Sequence, residues 1–306
     1  MTHIHIGNVL DILPTLPSDS FHGCLTDPPY ELGFMGKKWD SSGIAFSVPL
    51  WSQVFRVLTP GAYLMAFGGT RTYHRMTCAI EDAGFEIRDC LMWMYGSGFP
   101  KSKSCLKPSY EPIILARKPS KTVLPLNVDG CRTGTDEGGW RGSPSTFSGG
   151  LDSAGDPRPV VGRWPANTIL DDSFAGEPWS RYFYCAKASR KVRDAGLEGF
   201  EIQDRKTLGE YKEDPGKSGS RCRNIHPTVK PLSLTAHLAK LILPQPLTGC
   251  SPDAQRRLLV PFSGSGSEMI GGVKAEWDDV TGIEMSPEYA AIAGARLGYW
   301  DARPDV

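Results

Sequence analysis

An excess of charge of either sign is missing. Lys and Arg number 34 against 34 Asp and Glu in 306 residues, so overall charge gives no argument for a polyanionic partner. Long apolar runs are also missing, and no segment approaches the length a membrane span needs. The start, Met1-Thr2-His3-Ile4-His5, lacks the charged region and apolar core of a secretory signal. Eight cysteines fall at 24, 78, 90, 105, 131, 185, 222 and 250 with no Cys-x-x-Cys pair and no metal-like histidine spacing. That pattern argues against bound zinc and against a secreted disulfide framework. The expectation is a soluble chain with reduced thiols, in a cytoplasm, with no metal and no membrane contact. No internal repeat is present.

What is present is 40% apolar residues and, over the first hundred positions, a regular alternation. Short apolar strands at 4–6, 21–26, 63–67 and 87–93 alternate with helical stretches at 9–16, 50–58 and 72–83. Thr59-Pro60-Gly61 and Gly84 read as stops between helix and strand. This is the rhythm of a parallel sheet flanked by helices. It collapses between 101 and 224 into Gly, Pro, Ser and charge, with order expected only near 160–170 and 181–185. It resumes with a helix over 232–243, a strand over 258–262, a helix after Ser267, a strand over 280–284 and a helix over 287–297. The predicted organisation is therefore two α/β blocks, 1–100 and 225–306, around an irregular insertion, 101–224.

Charge is unevenly spread. From 101 to 121 six basic residues, among them Lys101 and Lys103, face Glu111 alone; Lys187, Arg190, Lys191 and Arg193 form a second cluster. Such runs are ordinarily solvated surface, but their concentration in the irregular region favours phosphate contacts.

Three motifs carry chemistry. Asp27-Pro28-Pro29-Tyr30 ends the apolar run 21–26, and one specified tetrapeptide occurs by chance in only about 0.2% of chains this long. Asp offers an acceptor, the Pro-Pro backbone offers a fixed carbonyl, and Tyr offers a ring, a set suited to a planar, amino-bearing base. Pro261-Phe262-Ser263-Gly264-Ser265-Gly266 follows a strand, and two glycines one residue apart let the backbone turn tightly and approach a ligand. No Gly-Lys-Ser/Thr follows that loop, so it is not a nucleotide P-loop. About 20 residues on, Glu284 ends the next strand, either as a ligand for ribose hydroxyls or as an acid opening the following helix. His226-Pro227-Thr228-Val229-Lys230-Pro231 precedes the 232–243 helix, with Thr228 either a ligand or a helix cap. Asn8, after the first strand, reads by itself as a turn residue.

Together the motifs resemble those of the amino-group DNA methyltransferases, which use S-adenosylmethionine. The family's cofactor loop is usually Asp-Pro-Phe-x-Gly-Ser-Gly-Thr; here Val260 stands for the Asp and Ser267 for the Thr. The catalytic motif precedes the cofactor motif, which resembles the β class, and segments such as Gly98-Phe99-Pro100-Lys101-Ser102 look like methylases carried by phages and prophages. The resemblance implies a Rossmann-like α/β fold, a seven-stranded, mostly parallel sheet with helices on both faces and an inserted target-recognition region. It implies Asp27, Pro28, Pro29 and Tyr30 as the catalytic set. It puts Asn8, Asp27, His226, Thr228, Lys230, Glu284 and the loop from Pro261 to Gly266 on the cofactor, with Thr228 and Lys230 at its methionine carboxylate.

The reaction so implied is methyl transfer to the exocyclic N6 of an adenine flipped out of DNA. Cytosine N4 is the alternative, although members of that type more often carry Ser in place of Asp27. Methylation at cytosine carbon 5 is excluded, because it needs a Pro-Cys nucleophile and the chain has none. A degenerate, DNA-binding relative without turnover is the remaining reading, supported by Val260. The expected partner is DNA; a homodimer and a restriction endonuclease partner are left open.

Overall fold

Strand β2 (Phe21–Thr26) and strand β12 (Arg257–Pro261) are both buried along nearly their whole lengths, the mark of strands covered on two faces. The chain reaches that arrangement through β1 (Thr2–Ile6), α1 (Val9–Ile12), β2, α2 (Val48–Val57), β3 (Leu58–Phe67), α3 (Tyr73–Asp82), β4 (Glu86–Met94) and β5 (Tyr110–Arg117). The middle supplies β6 (Thr133–Glu137), β7 (Val161–Arg163), β8 (Thr168–Asp171), β9 (Tyr184–Ala186), α4 (Arg190–Asp194), β10 (Gln203–Asp204) and β11 (Arg221–Cys222). The end adds α5 (Leu232–Leu241), β12, α6 (Ser267–Lys274), β13 (Asp279–Glu284) and α7 (Pro287–Asp301). The structure is a computed structural model that describes residues 1–33, 38–96, 98, 103–104, 106–122, 124–137, 161–186, 190–204, 221–245 and 255–303.

One sheet runs β1-β13-β12-β2-β3-β5-β4-β8-β9. Its pairings are parallel except the two made by β5. Seven strands were expected and nine are observed among the described residues. The segment read as an insertion supplies three of them: β5 lies between β3 and β4, and β8 and β9 extend the edge beyond β4. The 101–224 boundary therefore cuts through the sheet.

Alternate residues of the central strands face opposite cores, as period-two geometry requires. Leu25, Met65, Phe67, Leu258 and Val260 pack with Leu234 and Leu238 of α5 and with Met269 and Ile270 of α6. Cys24, Leu64, Ala66 and Leu259 pack with Trp51 and Val54 of α2 and with Met76 and Ile80 of α3. Each fully buried side chain of this size stabilises by about 1.5–3 kcal/mol before entropy is counted. Val260, the departure from the family's Asp, is one of these core residues.

Local differences from expectation have local causes. The 9–16 helix is α1 followed by a 3₁₀ turn over Leu13–Thr15, because Pro14 has no N–H to continue an α-helix. Thr59-Pro60-Gly61 is not a stop but the start of β3. Gly61 takes φ +87° there, and the pairing with β2 shifts register between Phe21 and Gly23. Among the described residues no helix is long and apolar enough to cross a membrane.

The order of strands places the site. From β12 the chain crosses by α6 to β13 on one side, and from β2 it crosses by α2 to β3 on the other, so the direction of winding reverses between β12 and β2. Crevices at the carboxyl ends of such strands are where α/β sheets bind ligands. Thr26 Oγ1 donates to the Pro261 carbonyl at 2.6 Å, tying the two strand ends together.

Candidate active site

Asp27 leaves β2 at this crevice and meets a buried cation. Its Oδ2 accepts from Lys230 Nζ at 2.5 Å. Lys230 also lies 3.5 Å from Glu111 Oε2, which accepts from the Tyr30 hydroxyl at 2.7 Å. The ammonium is 6% exposed and sits over the rings of Tyr30 and Phe67, at 5.4 and 4.8 Å. Burial alone would lower the Lys230 pKa, but Asp27 and Glu111 more than offset it and hold the group charged, above the usual lysine range. The other oxygen of Asp27, Oδ1, is buried with no hydrogen-bond partner among the described residues. An unsatisfied buried carboxylate oxygen costs about 1–3 kcal/mol or more, so it is a feature the fold sustains for a reason.

Lys230 was expected at the methionine carboxylate. In the structure it pairs with Asp27. Glu111, from the central antiparallel strand β5, was not foreseen. Its only sequence signal was an acid opening the apolar run 112–116.

The glycine loop turns on three left-handed residues, Phe262 at φ +57°, Gly264 at φ +51° and Gly266 at φ +81°. Ser263 N donates to the Ile283 carbonyl at 2.9 Å and Gly266 N to the Ser263 carbonyl at 2.7 Å. Glu284 braces the loop: Oε2 accepts from Gly264 N and Oε1 from Ser286 N, each at 2.8 Å. Burial raises the Glu284 pKa, and these backbone bonds act against that rise.

Both glycines lie close against the protein itself. A Cβ on Gly264 would lie 2.7 Å from His226 Nε2, and one on Gly266 would lie 3.1 Å from the Ala293 Cβ of α7. Gly266→Val is accordingly expected to cost about 2–3 kcal/mol, through left-handed strain and displacement of α7. Thermal melting checks it, and an unchanged midpoint would show that the loop and α7 separate freely.

His226 Nδ1 lies 2.7 Å from the Thr228 carbonyl, and the ring stands edge-on to Tyr289 at 4.6 Å. Burial lowers its pKa to about 4, so it is neutral at pH 7. Arg193, expected on phosphate, donates Nη2 to the His226 carbonyl at 2.6 Å. Asn8 caps α1, its Oδ1 accepting from Leu10 N at 2.9 Å.

A single cleft of about 960 Å³ joins these parts. Asn8, Asp27, Pro28, Pro29, Tyr30, His226, Thr228 and Glu284 line it, as do Phe262, Ser263, Gly264 and Ser265. Pro261, Gly266 and Lys230 stand behind the wall. Glu111 and Glu268 line the cleft without having been anticipated. Of the expected DNA contacts, Lys103 is exposed; Arg190 and Lys191 lie on α4, but their side chains are outside the described residues. Lys101 and Lys187 also lie outside the described residues. Among the described residues no His, Cys, Asp and Glu grouping could hold a metal ion.

A family model described as DNA methylase, for N6 and N4 methylation, matches residues 21–294. Among solved structures, a protein assigned as a DNA modification methylase from Thermus thermophilus, complexed with S-adenosyl-L-methionine, is 17% identical with TM-score 0.52. That match covers 99% of this chain and 96% of the other. The complex of M1.HpyAVI with the same cofactor is 15% identical with TM-score 0.52, covering 97% and 99%. PvuII DNA methyltransferase, cytosine-N4-specific, is 15% identical with TM-score 0.59, covering 97% and 86%. At these identities the likeness is one of fold. No curated protein sequence matches the chain.

Proposed function

The chain belongs to the N6/N4 DNA methylase family, and on that premise we propose that it methylates the exocyclic N6 of an adenine flipped out of DNA. S-adenosyl-L-methionine is the methyl donor; when bound it supplies an electrophilic methyl on a sulfonium. The carrying observation is Asp27 Oδ1, a buried acceptor with no partner among the described residues, in a carboxylate whose other oxygen Lys230 holds. An amino group whose lone pair is delocalised into a ring is a poor nucleophile. Accepting its two N–H bonds at Asp27 Oδ1 and the Pro28 carbonyl draws the nitrogen towards tetrahedral geometry and frees the lone pair. Tyr30, anchored by its hydroxyl on Glu111, offers the base a stacking face.

The wall opposite fits the donor. Glu284 presents a carboxylate to ribose hydroxyls, the Asn8 amide faces an adenine edge, and Thr228 offers a hydroxyl to the methionine carboxylate. The volume accommodates a nucleoside cofactor and a base together. Asp27, where cytosine-N4 enzymes more often carry Ser, favours adenine. The order of catalytic strand before cofactor strand supports the β class. Transfer of labelled methyl to DNA, followed by digestion to nucleosides, decides it: N6-methyl-2′-deoxyadenosine is expected. Label in N4-methylcytosine overturns the base assignment, and no label at all overturns the enzyme.

DNA affinity is assigned to the 101–224 segment. Replacing Lys187, Arg190 and Lys191 with Gln, and leaving Arg193 to its His226 contact, is expected to weaken DNA binding without changing cofactor affinity. The slope of log affinity against log salt should fall by up to about 0.9 per lost phosphate contact. An unaltered slope would put DNA elsewhere.

A further inference from the structure

Two cleft carboxylates take no part in the chemistry above. Asp40 is engaged by the backbone, accepting from Glu31 N and Leu32 N. Glu268 is not. It stands in the first turn of α6, directly after the glycine loop, and is 4% exposed. Its Oε1 has no hydrogen-bond partner among the described residues, although the residue lines the cleft. Of the charges acting on it, Asp27 is anionic and Lys230 and Arg296 are cationic, so with Glu268 two carboxylates share two cations. Lys230 is engaged by Asp27, and Arg296 Nη1 by the Ser265 carbonyl and the Ser265 and Ser267 hydroxyls, whereas Arg296 Nε and Nη2 have no partner among the described residues. A buried carboxylate oxygen left without a partner at a cleft wall favours a ligand that brings a donor or a positive charge.

We propose that Glu268 receives the α-ammonium of the cofactor's methionine portion. The proposal rests on the methyl-donor reading and adds to it the residue that pairs with this group. It accounts for a buried acid in the first turn of α6, where burial without a partner is costly. Burial, with Asp27 adding repulsion, raises the Glu268 pKa to about 7, whereas Lys230 and Arg296 act to lower it. An arriving ammonium acts in the lowering direction, so binding expels protons near pH 7 and affinity rises as pH rises through that region. Of the other groups around the helix, His226 is already neutral and Glu284 lies beyond the glycine loop.

Calorimetry with two ligands tests this. S-adenosylhomocysteine carries the ammonium, whereas 5′-methylthioadenosine lacks the whole amino-acid end. Glu268→Gln is expected to lose about tenfold or more in affinity for the first and to keep its affinity for the second. Equal affinities of wild type and variant for S-adenosylhomocysteine, or equal losses for both ligands, overturn the assignment alone. A wild-type protein that binds neither ligand overturns the methyl-donor reading, and this assignment with it. Should Glu268→Gln fail to fold, wild-type calorimetry with S-adenosylhomocysteine and with its deaminated analogue, which keeps the carboxylate and lacks only the ammonium, decides instead. A loss of about tenfold or more is expected for the analogue, and equal affinities overturn the proposal.

Discussion

Asp27→Ala is expected to reduce methyl transfer by about 10²- to 10⁴-fold while leaving cofactor affinity within a few-fold. The substitution removes the acceptor at Oδ1 and, with it, the charge that Lys230 orients through Oδ2. The strand end survives, because Thr26 still donates to Pro261 and both prolines remain. Glu111, 3.5 Å from Lys230, still pairs with the buried ammonium, so stability falls less than the loss of a sole partner would cause. Asp27→Asn separates charge from shape. It keeps one acceptor oxygen but sets an amide against Lys230, and its rate should lie near that of Asp27→Ala if the charge matters. Single-turnover rates on DNA, with calorimetry for the cofactor, give both quantities. Near-normal turnover in Asp27→Ala would remove this residue from the chemistry.

The parts of the site that could be read in the sequence are those carried by contiguous residues. Asp27 to Tyr30 announce themselves by composition, and the loop from Phe262 to Gly266 by glycine spacing after a buried strand; Asp27 to Tyr30 and Phe262 to Ser265 line one cleft. The parts that could not be read depend on contacts between distant segments. Lys230 meets Asp27 across 203 residues, and Tyr30 meets Glu111 across 81. Nothing local to Lys230 distinguishes a counter-ion for a carboxylate from a ligand for a cofactor. Strand order alone makes the difference. The two extra strands fall where isolated order was expected, near 160–170 and 181–185, but were not assigned to the sheet: β8 has four residues and β9 three, too few for an alternation to stand out against neighbouring Gly and Pro. β5 was hidden by the basic residues on either side of it, which made an apolar strand look like part of an irregular loop. Glu268 lay in a helix start where acids are common, so its burial had no signature.

Lys230→Met is expected to have the largest effect on stability, about 3–5 kcal/mol at neutral pH. A methionine keeps the apolar stem against Phe67 and Tyr30 but leaves Asp27, Glu111 and Glu268 sharing a buried pocket without the cation placed between the first two. The pH dependence has a definite sign. Glu268 already has its pKa raised to about 7 by burial and Asp27, with Lys230 acting to lower it, so removing Lys230 raises it further. A carboxylate whose pKa is higher in the folded than in the unfolded state binds more protons when folded. Its stabilising contribution is therefore complete at acid pH and is lost as pH climbs from the ordinary carboxylate range through the folded value. The variant should consequently lie closest to wild type near pH 5 and fall away towards pH 8, where its melting midpoint drops by on the order of 10 °C. Lys230→Arg, which keeps the charge in a larger group, should lose less and should not acquire this pH dependence. Melting curves of the three proteins at both pH values check the argument, and a Lys230→Met protein as stable as wild type at pH 8 would mean that the carboxylates need no buried cation.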